Sequence, residues 1–181
     1  MALSLAYVYD VTEDNNMIAN IKFAKVHPDA QIPTKRDEDM GFDIYSCFEE
    51  DWVCIEPHTN KLIPTGIASA FDADWGIILR ERGSTGVANL KVSAGVIDSG
   101  FRGQWFVCLY NGNDKPIYIA KYSDGEQSPE DKNAIVYPYS KAIAQALVVP
   151  VPSTQVEEID YDELAAIPSE RGVGMIGSSN K

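Results

Sequence analysis

The sequence is poor in the residues from which metal centres, nucleophile triads and nucleic-acid-binding faces are built. It contains two histidines and three cysteines, with no CxxC pair, so neither a His-rich metal site nor a Ser/His/Asp triad is indicated. Fifteen basic residues stand against 27 acidic ones, a net charge of −12, whereas a polynucleotide partner requires a Lys/Arg face. We therefore expect no nucleic-acid partner. The odd cysteine count favours a reducing, cytoplasmic location.

Long apolar runs are also missing. Each run is interrupted by Pro, Gly or a charge well before the roughly 18–20 residues that a membrane-spanning helix needs. The N-terminus carries Asp10 where a secretion signal has a basic start and an apolar centre. The 181 residues suffice for one domain of roughly 100–200 residues with a sizeable core. We predict a soluble protein with no membrane partner.

The residues that are abundant form a strand pattern. Turn residues recur about every 8 to 12 positions, and Val, Ile, Thr and aromatic residues fill the segments between them, which is typical of an all-β sandwich or barrel. One short helix is predicted over residues 161–167, with Asp160 at its start and Pro168 after it, and a loop is about equally favoured there. The predicted strands cover residues 21–26, 41–46, 52–55, 61–70, 76–80, 90–97, 104–110, 116–122 and 142–150.

Composition also divides the chain. Residues 1–20 are predicted to be an N-terminal extension, residues 21–156 the β domain, and residues 157–181 a C-terminal arm that ends rich in glycine. Within the domain, the polar residues 123–133 form a predicted inserted loop at the surface.

Three segments carry residues suited to a phosphate-bearing ligand. RERGSTG at 80–86 joins a strand to a turn with two arginines and two hydroxyls, and an ordinary surface turn is the alternative. Residues 94–111 suggest a β-hairpin in which Asp98 is placed to orient a water molecule, or simply to stabilise the turn. RGVGMIGSS at 171–179 spells G-x-G-x-x-G, but too few residues follow for a βαβ unit. It is suited to wrapping a phosphate, and a frayed tail is the alternative.

In this order, the segments resemble the five-motif pattern of the homotrimeric dUTPases (dUTP pyrophosphatases). The resemblance extends from about Ile21 to the C-terminus, with IPTGIA at 63–68 fitting between the first two motifs. Any one motif is weak, whereas all five in order are specific. The five matching segments are MGFDIYS at 40–46, RERGSTG at 80–86, AGVIDSGFRG at 94–103, IAQALVV at 143–149 and RGVGMIGSS at 171–179.

The resemblance implies a distorted jelly-roll-like β-barrel whose three chains form three shared sites, with the Gly-rich arm of one chain closing over a site built by others. It implies hydrolysis of dUTP to dUMP and pyrophosphate by water attack on the α-phosphorus, with Mg²⁺ as cofactor. Such an enzyme limits uracil in DNA and supplies dUMP for thymidylate synthesis.

The resemblance also assigns roles to single residues. Asp98 activates the water, and Asp43 holds Mg²⁺ through water. The predicted phosphate-binding residues are Arg82, Gly83, Ser84, Gln145, Arg171, Ser178 and Ser179. The predicted nucleoside-binding residues are Gly95, Val96, Ile97, Phe101 and Phe106, with Ile176 and Gly177 of the arm closing over them.

Several positions depart from the family pattern. Phe101 stands for the usual tyrosine and Ile176 for the usual phenylalanine, which replaces aromatic stacking of the arm by weaker aliphatic packing. Gly83 occupies the place of a common serine, so that either Ser84 or Thr85 supplies the hydroxyl.

Two other functions fit the same fold. The related dCTP deaminases carry a catalytic glutamate where this chain has Cys108, so deamination lacks an agent to deprotonate water. A non-catalytic barrel that binds a nucleotide or a partner protein is the second alternative. The altered arm at Met175 and Ile176 favours it, and the presence of Asp98 argues against it.

Overall fold

The computed structural model describes residues 18–122, 133–169 and 172. The chain divides into two units, Met1–Val151 and Pro152–Lys181, and each is described by itself. Nearly all of the predicted inserted loop, most of the N-terminal extension and the arm residues Arg171, Ile176, Gly177, Ser178 and Ser179 lie outside the described residues. The proposed domain boundaries stay predictions.

The described part of the first unit consists of strands and one short helix. Their bounds are β1 (Lys22–Lys25), β2 (Phe42–Ile44), β3 (Trp52–Ile55), β4 (Asn60–Pro64), β5 (Ile67–Ala70), β6 (Trp75–Arg80), α1 (Gly83–Val87), β7 (Leu90–Ser93), β8 (Val96–Ile97), β9 (Phe106–Asn111), β10 (Ile117–Ala120), β11 (Ile135–Pro138) and β12 (Ala144–Pro150).

These strands form four sheets, with the orders β1-β5, β11-β10-β3, β2-β12-β6-β8 and β4-β9-β7. Of the strand pairs, β10 and β11 are parallel and the others antiparallel. The all-β prediction is confirmed. The described sheets do not close into one barrel, so the jelly-roll-like barrel is the part of the prediction that the structure corrects.

Two predicted strands are each split in two where the backbone takes a positive φ. Residues 61–70 break at Gly66, with φ +68°, and a Cβ there would lie 2.8 Å from Cys47 Sγ, so the turn requires glycine. Residues 90–97 break at Ala94, with φ +52°. The break lets β7 stay with β9 while β8 crosses to β6. The hairpin predicted for 94–111 is corrected in the same way, because β8 does not pair with β9.

Two elements are absent from the predictions. Strand β11 contains Pro138 and shows no clear alternation of apolar and polar residues. It pairs with β10, which precedes the predicted loop in the chain. Helix α1 covers GSTGV, a glycine-rich segment with low helix propensity. Strand β11 depends on its pairing with β10, and α1 is held by hydrogen bonds between Thr85 and the Arg82 main chain, so the strand pattern predicts neither element.

The core of the first unit lies between the sheets. The largest fully buried side chain is that of Trp105, which packs edge-on against Phe23 at 5.5 Å and donates from Nε1 to Ser69 Oγ at 3.2 Å. Its backbone N–H donates to Ile67 O, and its carbonyl accepts from the Thr65 hydroxyl at 2.8 Å. Trp105 thus fixes the end of the segment that begins at Asp98.

The second unit contains α2 (Tyr161–Ala166), so the short helix predicted over 161–167 is confirmed. Asp160 is the N-cap residue, although its side chain makes no capping hydrogen bond. Across the described residues, none of the helices has the length and apolar character needed to cross a membrane. Cys47, Cys54 and Cys108 are free thiols, and the reducing location inferred from the cysteine count stays a prediction.

Candidate active site

A cleft of about 580 Å³ lies where β2, β12 and β6 end side by side. In this sheet Gln145 pairs with Asp43 on one side and with Arg80 on the other, which brings three of the sequence motifs to one sheet end. The lining residues are Thr34, Lys35, Arg36, Asp39, Met40, Gly41, Asp43, Arg82, Gly83, Ser84 and Gln145. We call it the Asp43–Arg82 cleft. It unites every predicted phosphate-binding residue that the structure describes.

Asp43 and Arg82 form a two-point ion pair inside this cleft. Arg82 Nε lies 2.9 Å from Asp43 Oδ1, and the guanidinium donates again to Oδ2 at 3.3 Å. Both side chains are about one-third exposed, so the pair faces the cleft. Arg82 also lies beside Tyr137: burial raises the pKa of that phenol, and the guanidinium opposes the rise. A planar guanidinium held in this way is a ready donor for phosphate oxygens.

Glu81 orients the neighbouring groups. Its main-chain carbonyl accepts from Gln145 Nε2 at 2.7 Å, and its carboxylate accepts from Val92 N–H at 3.2 Å. Burial raises the pKa of the Glu81 carboxyl, but the hydrogen bonds from the main chain and the Arg80 guanidinium outweigh it, so the pKa is lowered. The hydrogen bond from Gln145 Nε2 to the Glu81 carbonyl therefore fixes the orientation of the Gln145 amide at the edge of the cleft.

The two hydroxyls in the turn of the second motif have different surroundings. Thr85 is fully buried and its Oγ1 accepts from Arg82 N–H at 3.0 Å and donates to Arg82 O at 3.1 Å. Ser84 is exposed and lines the cleft. The Thr85 hydroxyl thus holds the Arg82 main chain, and the Ser84 hydroxyl is the one exposed in the cleft.

Replacing Thr85 by valine should loosen Arg82. The isosteric change leaves the part-buried Arg82 N–H without its acceptor, which costs about 1–3 kcal/mol of unfolding free energy. We expect urea unfolding at correspondingly lower denaturant and weaker phosphate binding. Thr85→Ser keeps the hydroxyl and serves as the matched control. Equal stability of the valine and serine variants would contradict this role.

Asp98 lies in a different cavity. It is exposed, directly follows β8, and lines a cavity of about 240 Å³ with Val96 and Ile97 of β8, Gly76 of β6 and Val149 of β12. Gly95 comes close to β6: its carbonyl accepts from Leu79 N–H at 2.6 Å, and a Cβ at Gly95 would clash with Leu79 O. Only glycine fits there.

The groups predicted to bind the nucleoside surround Asp98 along the chain. Strand β8 is the last strand of its sheet, so one backbone edge bonds to β6 and the other has no strand partner among the described residues. Such an edge offers N–H and C=O groups to a planar base. Phe101 N–H donates to Asp98 O, its ring lies over Gly103 and it is 44% exposed. Phe106 is equally exposed but lies on β9, in another sheet.

Asp98 and the Asp43–Arg82 cleft lie at opposite ends of the same sheet. Strand β8 runs antiparallel to β6 with Ile97 opposite Ile77, which places Asp98 near Gly76. The cleft begins at the other end of β6, where Arg80 pairs with Gln145 and Arg82 follows. From Gly76 to Arg82 an extended chain spans about 20 Å. Within one chain, the predicted catalytic aspartate therefore does not meet the predicted phosphate-binding residues.

The structure contains no preformed metal cage in the part of the chain that it describes, since no cluster of three or more His, Cys, Asp or Glu side chains occurs there. Asp43 is a single carboxylate already paired with Arg82. Asp39, the other carboxylate that lines the cleft, is likewise paired with an arginine. So few carboxylates suit Mg²⁺ that keeps most of its water and is bound largely by substrate phosphates. The donor set therefore fits the predicted water-mediated role of Asp43.

The loop that carries Lys35, Arg36 and Asp39 was not among the predicted site residues, although it lines the cleft. The run PTKRDED directly precedes the first motif. The adjacent Lys35 and Arg36 could have indicated that this loop lines the site. A run of charged residues, however, usually indicates only a solvent-exposed surface.

The sequence of this chain is similar to those of known proteins. The sequence model of the dUTPase family matches residues 29–123. The deoxyuridine 5'-triphosphate nucleotidohydrolase of Nautilia profundicola is 33% identical over 167 residues, covering 89% of this chain and 99% of the relative. The protein of the same name from Mycolicibacterium gilvum is 29% identical, covering 90% and 96%.

Solved structures show the same fold. The dUTPase of Staphylococcus bacteriophage 80alpha with dUPNHPP superposes with a TM-score of 0.69 at 21% identity, covering 90% of this chain and 99% of that one. A mutant dUTPase of phage phi11 of S. aureus, described with a structural Mg(II) ion, gives 0.62 at 19% identity, with 78% and 97% covered. These structural likenesses show the fold, and the sequence matches show the family: this chain belongs to the dUTPases.

Proposed function

We infer that this protein hydrolyses dUTP, as its family membership indicates, and we propose that it releases dUMP and pyrophosphate by attack of water on the α-phosphorus. The observation that carries the proposal is the Asp43–Arg82 cleft, in which three family motifs meet around a guanidinium, a free hydroxyl and a pinned amide. The relation to dCTP deaminase stays a prediction, and Cys108, on β9, offers no carboxylate for that reaction.

The proposed reaction assigns one task to each group. Asp98 accepts a proton from the water that attacks the α-phosphorus, and the bond to the bridging oxygen of the leaving pyrophosphate breaks. Arg82, Ser84 and the Gln145 amide bind phosphate oxygens, with the Gly83 main chain close by. These donors are already oriented by Asp43, Thr85 and Glu81, so little reorganisation opposes the transition state.

The nucleoside binds at β8 in this proposal. The main-chain N–H and C=O of Val96, which point away from β6, hydrogen-bond uracil, and Ile97 lies beside them. Gly95 allows the close approach of the strands, and the Phe101 ring packs on deoxyribose. The exposed Phe106 ring supplies a second apolar surface. A ring in contact with C2′ leaves no space for a hydroxyl, which would select deoxyribose over ribose.

Mg²⁺ bound to the substrate phosphates would offset their charge and polarise the bonds that change. Asp43 would hold it through water. The chain places this carboxylate next to Arg82. In the same cleft, Asp43 would therefore attract the Mg²⁺ of the substrate complex and Arg82 would bind its phosphates.

We propose that each site is shared between chains of a homotrimer. The separation of Asp98 from the cleft along β6 supports this. The α- and γ-phosphorus atoms are joined through only one further phosphorus, so no triphosphate spans that distance. An Asp98 from one chain must therefore face the cleft of another. The Gly-rich arm, with Arg171, Ile176, Gly177, Ser178 and Ser179, is proposed to close over the shared site.

An exposed apolar face also supports assembly. In the β4-β9-β7 sheet, Leu62 lies opposite Cys108 and Pro64 opposite Phe106, so these four side chains share one face. Leu62 is 61% exposed. Apolar groups that share an exposed face are typical of contact surfaces.

Pyrophosphate release from dUTP, UTP, dTTP and dCTP tests the function. We expect preference for dUTP by at least about 10²-fold over each analogue, and near-complete loss of turnover with EDTA that returns with added Mg²⁺. Equal turnover of UTP would contradict the role of Phe101. Release of ammonia from dCTP would instead support a deaminase.

A further inference from the structure

The loop before β2 supplies one wall of the Asp43–Arg82 cleft and lies outside the family motifs. Its residues Lys35, Arg36 and Asp39 all line the cleft. We call residues 34–39 the cleft loop. It brings two cations toward a site whose proposed ligand is a polyanion, although the chain as a whole carries a charge of −12.

The cleft loop is tied to the arginine that the motifs supply. Thr34 and Asp43 form an isolated β-bridge, with Asp43 N–H donating to Thr34 O at 3.0 Å. The side chain of the same Asp43 holds Arg82. One residue therefore fixes both the base of the loop and the guanidinium across the cleft, so Arg36 and Arg82 are held on two walls of one cleft.

Arg36 is paired by two parallel hydrogen bonds. Its Nε lies 2.8 Å from Asp39 Oδ2, and its Nη2 lies 2.8 Å from Asp39 Oδ1. This geometry is the one in which arginine also binds phosphate. The Arg36 side chain is 87% exposed, and exposed ion pairs contribute little to stability. A phosphate can therefore replace Asp39 as the partner of Arg36 at small cost.

Lys35 adds a second cation to this wall. Its ammonium donates to the carbonyls of Arg36 and Asp37 at 3.2 and 3.3 Å and lies 5.7 Å from the centre of the Phe42 ring. These neutral partners leave its charge uncancelled. Among the residues lining the cleft, Arg36 and Arg82 are each balanced by a carboxylate, and Lys35 supplies the net positive charge.

We propose that Arg36, with Lys35 beside it, is a further phosphate-binding residue of this cleft, and that Asp39 is the carboxylate that the substrate's phosphates displace from it. The inference rests on the proposed function, because it takes the cleft to hold the triphosphate of dUTP. It adds a phosphate contact that belongs to the cleft itself rather than to the C-terminal arm.

Binding of inorganic tripolyphosphate in metal-free buffer, followed by titration calorimetry, tests this assignment without any turnover. Arg36→Gln should raise the Kd about tenfold, the loss expected for one charge-assisted pair. Asp39→Asn should lower the Kd about threefold, because it removes the competing carboxylate. Lys25→Gln, which removes one charge from an exposed residue outside the cleft, should change it less than about twofold.

Kinetics with dUTP and Mg²⁺ add a second readout. Arg36→Gln should raise KM about tenfold with kcat within about twofold, and Arg36→Lys should recover part of the loss. An unchanged tripolyphosphate Kd in Arg36→Gln would overturn the assignment of Arg36. Weaker binding by Asp39→Asn would overturn the displacement of Asp39. A parent protein that binds tripolyphosphate but does not hydrolyse dUTP would overturn the proposed function instead.

Discussion

Asp98→Asn should abolish pyrophosphate release from dUTP while nucleotide binding persists. The amide keeps the shape and hydrogen-bonding capacity of the side chain but cannot take a proton from water, so we expect kcat to fall by about 10³-fold. Asp98 is exposed beside β8, and its main-chain carbonyl, which accepts from Phe101 N–H, is retained in the variant. The thermal unfolding midpoint should therefore stay within about 2 °C of the parent.

The measurement pairs a pyrophosphate assay with calorimetric titration of dUpNHpp, so that catalysis and binding are separated. Asp51→Asn removes the same charge from an exposed residue whose carbonyl accepts from Lys121 N–H, and should leave kcat unchanged. Turnover by Asp98→Asn at the parent rate would remove Asp98 from the mechanism. A loss of binding equal to the loss of rate would make it a binding residue.

Mixing two inactive variants should restore activity. Arg82→Gln removes the guanidinium of the cleft, and we expect a loss of about 10²–10³-fold in kcat. If Asp98 of one chain serves the cleft of another, a 1:1 mixture of Asp98→Asn and Arg82→Gln chains contains sites built from one intact half of each. With random assembly of trimers, about a quarter of the sites are complete.

The two variants are unfolded together in urea, refolded, and compared with each variant refolded alone. The matched control mixes Asp98→Asn with the double variant Asp98→Asn/Arg82→Gln, which contains no intact Asp98 and should stay inactive. If Asp98 and Arg82 of one chain served the same site, no mixture would be more active than the variants refolded alone. That result would overturn the shared-site proposal and require another explanation for the separation along β6.

The parts of the site that could be predicted from sequence are those fixed by strand pairing. Asp43, Arg82 and Gln145 belong to separate motifs, and the antiparallel registers of β2, β12 and β6 place them at one sheet end. The strand pattern likewise indicates most of the elements. The local sequence pattern predicts a strand correctly where the alternation of apolar and polar residues and the positions of turn residues agree with the strand pairing in the structure.

Other features depend on contacts that local sequence does not encode. An alanine with positive φ divides β7 from β8, and nothing at position 94 signals it. The parallel pairing of β11 depends on how the chain returns to β10. The bond between Arg36 and Asp39 depends on the loop conformation, and the sequence shows only a run of charges. The arm residues of the fifth motif stay predictions.

The placement of Asp98 and the Asp43–Arg82 cleft at opposite ends of one sheet has a consequence for how activity depends on protein concentration. Each separate chain would carry both halves of a site and yet no complete site. Turnover per chain would then decline on dilution, as assemblies dissociate, rather than remain constant. For such an enzyme, the amount of dUTP removed would rise more steeply than the number of chains synthesised.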